Sequence, residues 1–441
     1  MPTTDLEPGA AVAVADGRAF APHGRRWLRR DLLIGLTFLA ACLAYTDRVN
    51  ISVAALAMQQ QFGWSQTEKG FVLSSFFIGY MLCLLLSGWL ATRFGGKSVL
   101  GFAVIIWSVC TLLTPAAGTV SLAALVAARI AMGAGESAVF PSAFEIIGRW
   151  VPANARTRAT GRILSGIPVG QVAGLILTGW MLAHFAWPVA FYSFGAVGFV
   201  WAIAWFRFMA RNPMKDPHES PMERELLHAN AIPMQSCEPV PWRRLLVSVP
   251  VFALVCAHFA SNWTLYVLLA WLPSYFREVL HLSIASAGLF SAGPWLTAAA
   301  VTNVAGPVSD RLIAGGLSVT VTRKLMQCGG LLISAGFLLA TRNVHSSGIA
   351  LTLLCAATGA LGLTWCGYAP GLVDVAPRHS ALVGGFTNTI ATIPGIVGVT
   401  VTGWLLDVTG TYSAAFILTA GISVIGAFVF GGLFNARPLV E

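Results

Sequence analysis

The stretch Ala44-Tyr45-Thr46-Asp47-Arg48-Val49-Asn50-Ile51-Ser52-Val53-Ala54 lies inside an apolar run from about Leu32 to Leu56, long enough to cross a bilayer. An ionised Arg or Asp at the bilayer centre costs roughly 2.5–3.5 kcal/mol even on insertion scales. A carboxylate and a guanidinium side by side there need a polar cavity, a partner or a task. Two readings stand: an ion pair that only locks helices together, or a transport site. The rest of the chain favours the transport site.

Of 441 residues, 56% are hydrophobic and 10% are charged, against roughly 25% charged in soluble domains. The mean hydropathy is +0.74. The chain is therefore an all-α polytopic membrane protein, which excludes every soluble class. Its net charge of +9 could suggest nucleic acid, but the basic residues are distributed otherwise. Arg18, Arg25, Arg26, Arg29 and Arg30 precede the first span, and most of the others fall in alternate connections. Lys69, Arg277 and Arg342 alone occupy the remaining connections, while Arg48 and Arg129 lie within spans. That bias places both termini in the cytoplasm. No nucleic-acid partner is expected. The cysteines, among them Cys42, Cys110, Cys256 and Cys355, form no CxxC and read as packing residues rather than a disulfide framework or metal site. No cleavable signal peptide is evident. Residues 1–30 read as a cytoplasmic tail, an organellar presequence being the alternative.

Apolar segments follow at about 70–91, 98–116, 120–148, 157–183 and 188–210. After a polar stretch come six more, at about 248–276, 284–309, 322–341, 346–373, 379–405 and 412–434. The expected organisation is a six-helix bundle over 31–210, a cytoplasmic linker over 211–246, a second bundle over 247–435 and a tail over 436–441. Ser220-Pro221-Met222-Glu223 in the linker is a capping box that predicts a short helix. The halves repeat one another. Gly88-Trp-Leu-Ala-Thr92-Arg93 recurs as Gly306-Pro-Val-Ser-Asp310-Arg311, Thr178-Gly179-Trp180 as Thr402-Gly403-Trp404, and Gly133…Pro141 as Gly362…Pro370. The last match sets Trp365 opposite Glu136. Three matches in one order at nearly constant spacing mark a duplicated unit, and such repeats hold substrate near the midplane between halves that rock.

Gly88-Trp89-Leu90-Ala91-Thr92-Arg93-Phe94-Gly95-Gly96-Lys97 resembles the signature loop of the major facilitator superfamily. Asp47 to Ala54, Gly133-Ala-Gly-Glu136 with Phe140-Pro141, and Trp150-Val-Pro152 are similar to motifs of its anion:cation symporter family. His258 to Tyr275, Val321-Thr-Arg-Lys324, Asp374-Val-Ala-Pro-Arg378 and Gly384 to Ile396 resemble the plant phosphate transporter, sialin and vesicular glutamate transporter branch. The resemblance implies twelve transmembrane helices in two pseudo-symmetric six-helix bundles. It also implies that Thr92, Arg93, Asp310 and Arg311 belong to a cytoplasmic gate. The loop motif ordinarily has Asp where this chain has Thr92, so the gate is expected to be weaker here or carried by Asp310. Likeness to the family's bacterial sugar-acid/proton symporters further implies substrate contacts from Arg48, Tyr45, Tyr80, Gln171 and Asn388.

Arg129, Gly133 and Glu136 share one face of span 4, with Gly133 leaving room for a neighbouring side chain. Tyr45, Arg48 and Ser52 share a face of span 1, and Asp47 points about a quarter turn away. Two acids and two bases thus offset one another in the first half, and an incoming anion competes for the bases. Asp47, Glu136 and Arg129 are the candidate coupling group, with Asp47 expected to control Arg48 and Glu136 to permit return of the empty carrier. Arg129 could equally be structural. Gln171 could instead bind a backbone carbonyl between helices. Glu145 and Arg149 read as a gate or interfacial pair, and His258 as an interfacial anchor or packing residue. The second half carries neutral mid-span groups (Asn262, Trp263, Tyr266, Asn303, Trp365, Tyr368, Asn388), suited to the body of an organic anion; Trp365 joins the candidate substrate contacts.

The expected function is proton-coupled symport of a small carboxylate such as a sugar acid, by a monomer in a bacterial inner membrane. Na⁺-coupled or facilitative transport of phosphate, glutamate or sialic acid is the alternative, and a transporter-like anion sensor is the rival of another class. There is no nucleophile–base pair, no cluster of metal ligands and no phosphate loop. No enzyme, cofactor or metal site is therefore expected.

Overall fold

The computed structural model describes residues 29–152, 155–210, 245 and 247–439. The Ser220–Glu223 capping box, most of the linker and the N-terminal tail lie outside them. Twelve helices are long and apolar enough to cross a membrane. Spans 1–6 are Arg30–Phe62, Gln66–Phe94, Gly96–Val120, Leu122–Trp150, Arg156–His184 and Pro188–Phe208. Spans 7–12 are Val249–Glu278, Ile284–Ala314, Val319–Thr341, Ser347–Val375, Leu382–Thr409 and Tyr412–Leu433. They form the two six-helix bundles of the sequence reading.

The duplication is visible in where helices break. Span 4 is split into Leu122–Glu136 and Val139–Trp150, and span 10 into Ser347–Thr364 and Tyr368–Val375. Span 5 is split into Arg156–Leu164 and Gly166–His184, and span 11 into Ser380–Ile390 and Ile393–Thr409. Each second piece has a proline in its first turn: Pro141, Pro370, Pro168 and Pro394. Proline has no N–H to donate and its ring collides with the carbonyl four residues back, so the helix must yield just before it. Short-range bonds such as Ala138 N–H to Gly135 O (3.3 Å) and Gly367 N–H to Thr364 O (2.9 Å) close the two gaps.

Glycine sets how closely the helices that carry the charges can approach. A Cβ on Gly133 would lie 2.0 Å from the Phe76 carbonyl oxygen, and one on Gly79 would lie 1.8 Å from that of Ile130. What occupies the space at Gly133 is therefore the backbone of span 2, not a side chain as the face pattern suggested. Gly166, Gly170 and Gly174 do the same for span 5 against span 1, at Phe38, Cys42 and Thr46. The Thr46 hydroxyl then donates to the Gly170 carbonyl at 3.0 Å. Such small-residue seams replace the hydrophobic driving force that lipid removes.

The halves meet most tightly at the end away from the chain termini. Spans 2 and 11 touch where Gly403 faces Gln66 O and Gly70 faces Val399 O; spans 5 and 8 touch where Gly288 faces Leu175 O. Among the described residues, the hydrogen bonds and ion pairs between the halves lie at this end, apart from one between the Ser74 and Thr400 hydroxyls at 2.9 Å, about two turns deeper. Ser65 begins span 2 with a complete capping box to Glu68. The next two backbone N–H groups, of Gln66 and Thr67, donate to the Asp407 carboxylate of span 11 at 2.9 and 2.7 Å. One turn further, Lys69 pairs with Glu278 of span 7 at 2.7 Å and lies 4.9 Å from the Trp271 ring centroid. Gln66 and Tyr412 also donate to Glu278, at 3.3 and 2.8 Å. At the opposite, basic end, Thr92, Arg93, Asp310 and Arg311 are all exposed. Among the described residues the Thr92 hydroxyl bonds only the Trp89 carbonyl of its own helix, at 2.8 Å. Among the described residues, neither Thr92 nor Asp310 makes the cross-half lock expected of the gate.

Candidate functional site

Arg48 is buried in the first half and donates from Nη2 to Glu136 Oε2 at 3.1 Å. Three aromatic rings surround its guanidinium: Tyr45, Phe76 and Tyr80, with centroids 4.5, 4.6 and 5.0 Å away. Aromatic faces carry partial negative charge, so they hold a cation without neutralising it. The face of span 1 shared by Tyr45 and Arg48 is thus met by Phe76 and Tyr80 from span 2, at the depth fixed by the Gly79 and Gly133 seam. Glu136 is the last residue before the break in span 4 and faces Arg48 from there. A small cavity bounded by Ser52, Leu73, Phe77 and Tyr266 reaches Arg48 and Arg129.

The other two charges are less satisfied. Asp47 and Arg129 are buried, and among the described residues no ion pair joins them within 4.0 Å. They interact at longer range, with Glu136 as a third member. Arg129 donates to the Met132 sulfur at 3.1 Å and lies 5.5 Å from the Phe76 ring centroid. Among the described residues, Asp47 Oδ1, Glu136 Oε1, Arg48 Nε and Arg129 Nε have no hydrogen-bond partner. Buried charge left unpaired is expensive, so this group has free valence for a proton or an anion. The expectation that Asp47 controls Arg48 needs correction. Among the described residues Asp47 makes no ion pair with Arg48, and the carboxylate bonded to Arg48 is Glu136, brought from another helix.

The remaining candidates are spread along the path. Gln171 is buried and makes no hydrogen bond among the described residues, so the helix-bridging alternative is not realised. Asn388 is half-buried; its backbone carbonyl accepts from Thr392 at 2.8 Å, while its amide makes no hydrogen bond among the described residues. Trp365 stands at the break in span 10, as Glu136 does in span 4, and is 43% exposed. Asn303 turns its amide back onto its own helix, at Ala299 O, and is exposed. Glu145 accepts the Gly96 N–H at 2.7 Å and pairs with Arg149, tying span 4 to the start of span 3 at the basic end. Its counterpart in the repeat, Asp374, pairs with Arg323 at 2.8 Å.

Of the two readings of His258, packing residue rather than interfacial anchor is the one realised. It is buried in the second half, stacked on Tyr368. The periodicity could not choose between the two, since a lone His in an apolar helix looks alike at the interface and in the core. Lys69, Glu278 and Asp407 escaped notice because they sit near span ends, where charge is ordinary. The only legible signal at that end was the Ser65-x-x-Glu68 capping box.

Residues 37–399 match the family model described as Major Facilitator Superfamily. A sodium-dependent phosphate transport protein 1 from Arabidopsis thaliana chloroplasts is 36% identical over 420 residues, covering 95% of this chain and 82% of its own. An ascorbate transporter of Arabidopsis thaliana chloroplasts is 34% identical over 441 residues, covering 100% of this chain and 81% of its own. Among solved structures, a bacterial homolog of the human lysosomal transporter Spinster, inward-facing and occupied, superposes with a TM-score of 0.76 at 18% identity, over 91% of this chain and 96% of that one. The inward-open xylose transporter XylE from E. coli gives 0.73 at 15% identity, over 92% and 96%. Twelve spans, a duplicated break pattern and a match across most of the chain place this protein in the Major Facilitator Superfamily, among relatives that transport anions.

Proposed function

We propose that the protein carries a small organic anion, such as a sugar acid or related carboxylate, by alternating access coupled to protons. The observation that supports this best is the buried Arg48–Glu136 pair inside a cage of aromatic rings. Arg48 is the group an entering carboxylate would bind, through the planar fork that matches two carboxylate oxygens. A proton on Glu136 removes its charge and loosens its hold on Arg48, so proton and anion favour each other's binding. When the anion leaves toward the basic end and the proton follows, Glu136 recaptures Arg48. The empty carrier can then return with its charges paired. Asp47 and Arg129 form the second couple, which keeps the buried charge balanced while Glu136 is occupied. Tyr45, Tyr80, Gln171, Trp365 and Asn388 are proposed to line the path for the uncharged part of the substrate, and Thr92, Arg93, Asp310 and Arg311 to meet when the basic end closes. This reading makes the protein a monomeric carrier rather than an enzyme or a sensor. The arginine bias supports cytoplasmic termini; a membrane of the bacterial plasma type is part of the proposal, set against relatives that are chloroplastic.

A second reading is favoured by one relative, whose name describes sodium-dependent phosphate transport, while the name of another, an ascorbate transporter, favours a hydroxylated organic acid. Uptake by proteoliposomes decides between them. Gluconate, ascorbate, glutamate and phosphate are each offered under an imposed pH gradient and, separately, an imposed Na⁺ gradient. Accumulation of a carboxylate driven by the pH gradient is the expected result. Phosphate accumulation driven only by Na⁺ would replace the first reading with the second.

A further inference from the structure

The second half holds a buried polar cluster that the charge arrangement does not use. His258 of span 7 stacks on Tyr368 with ring centroids 4.3 Å apart and planes inclined by 22°. Its Nδ1 lies 3.4 Å from the Thr387 hydroxyl of span 11. Tyr368 is the first residue after the break in span 10, so its backbone N–H has lost its helical acceptor. It donates instead to Gln327 Oε1 of span 9, at 3.2 Å. The amide of Gln327 in turn donates to Ser261 Oγ at 3.0 Å and to Ala257 O at 3.4 Å, both on span 7. Gly367 has no room for a side chain, since a Cβ there would lie 2.6 Å from Cβ of Gln327. Backbone and ring of Tyr368 are thus fixed separately, by Gln327 and by His258.

What this support holds in place is a phenol hydroxyl. Tyr368 is 3% exposed, yet its hydroxyl makes no hydrogen bond among the described residues. Buried phenols ordinarily find one. The Tyr368 ring also meets that of Trp365, with centroids 5.8 Å apart, and it interacts electrostatically with Tyr266 and Tyr45, both of which interact in turn with Arg48. Tyr266 itself is packed on Phe77 of the first half, centroids 4.4 Å apart, so this wall of the second half faces the Arg48 cage directly.

We propose that Tyr368 is a substrate-contacting, specificity-determining residue whose hydroxyl meets a hydroxyl group of a hydroxylated carboxylate held at Arg48, and that His258 is the residue that positions it. The inference rests on the organic-anion reading above and names its substrate class. A phenol both donates and accepts, as an alcohol does, so the two are matched partners. Phosphate would call for further cations on this wall, and among the described residues none stands there. A site built to bond a substrate hydroxyl rejects analogues that lack it, because the buried group is then left unpaired.

The test is gluconate uptake by the full chain in proteoliposomes. Tyr368→Phe keeps the ring and its stack on His258. It should raise KM about 10-fold, near 1.4 kcal/mol, with kcat within about twofold. His258→Leu should do the same, while His258→Phe, which restores a stacked face, should recover most of the loss. The double variant Tyr368→Phe/His258→Leu should be no worse than Tyr368→Phe alone, because His258 acts through that hydroxyl. A general structural role would instead lower kcat and add in the double variant. Were Tyr368→Phe to fail to fold, Thr387→Val, which frees His258 Nδ1, must show the same rise in KM. Unchanged KM in Tyr368→Phe, with the parent transporting gluconate, overturns this inference alone. A parent that takes up phosphate and not gluconate overturns the organic-anion reading along with it.

Discussion

Arg48 draws its importance from how few groups share its position: a guanidinium in mid-membrane, one carboxylate contact and three rings. Lys in its place keeps the charge but not the two parallel N–H donors. A charge-assisted hydrogen bond contributes about 1.5–3 kcal/mol, so Arg48→Lys should weaken substrate binding about 10- to 100-fold with the thermal midpoint retained. Calorimetry on the purified variant checks this, and parent-like affinity would make Arg48 structural. The acids should behave differently from the base. Glu136→Gln and Asp47→Asn imitate the protonated carboxyl groups, leaving Arg48 or Arg129 available to an anion. Exchange of labelled for unlabelled substrate should survive in both, while accumulation driven by a pH gradient should fall to background because no proton can be released. Full accumulation by both variants would remove proton coupling from this site. Much of this was readable from residues alone: Asp47, Arg48, Arg129 and Glu136 are conspicuous because charge in a span needs a reason. The pairing was not, since Arg48 and Glu136 are 88 residues apart. The neighbour in sequence, Asp47, makes no ion pair with Arg48 among the described residues.

At the scale of elements, the broken helices place the chemistry. Each break frees backbone groups in mid-membrane, which is tolerated only where protein or a polar cavity can receive them. Glu136 and Trp365 stand at two such breaks. Four prolines in the sequence announce them, in register across the repeat, so the breaks are legible once the duplication is seen. Close approach of backbones is harder to foresee. Gly133 looked like space for a side chain, but it is where span 2 itself passes. The distinction follows from Gly79 on the facing helix, which makes the seam reciprocal. Gly133→Ala therefore meets a carbonyl rather than a yielding side chain. It should cost at least the roughly 1–3 kcal/mol of ordinary overpacking, lower the thermal midpoint, and weaken substrate binding by pushing Phe76 and Tyr80 away from Arg48. Gly148→Ala, with nothing within 4 Å of the added Cβ, is the control and should change neither measurement.

At the scale of the whole molecule, the two ends are held unequally. The end away from the termini is fastened by Asp407 across the start of span 2 and by the Lys69–Glu278 pair, while the basic end has no such clasp among its described residues. Sequence could not disclose this. Lys69 and Glu278 are 209 residues apart and Thr67 and Asp407 are 340 apart. The resemblance to the signature loop drew attention to the opposite end, at Thr92, where the expected carboxylate is missing. Both ends bias one equilibrium, so each can be used to shift it. Lys69→Met removes the cation from Glu278 and should destabilise only the state in which that end is closed. The pair is partly open to water, Glu278 being 28% exposed, which argues for about 1 kcal/mol, the upper range of exposed pairs, and about a fivefold change in population. Thr92→Asp acts from the other end, by supplying a carboxylate that can pair across the halves when the basic end closes, with a gain of about 0.2–1 kcal/mol. Sites that far apart with no shared partner should add, so the double variant should be the most outward-open of the three. The reporter is Leu73→Cys, which lines the cavity beneath the clasp, in a background without the eight native cysteines. Its labelling rate from the side opposite the termini should rise in the order parent, Thr92→Asp, Lys69→Met, double variant. A parent-like rate in Lys69→Met would mean that Asp407 alone keeps that end shut. A parent-like rate in Thr92→Asp would mean that the basic end closes without a charge pair at this position.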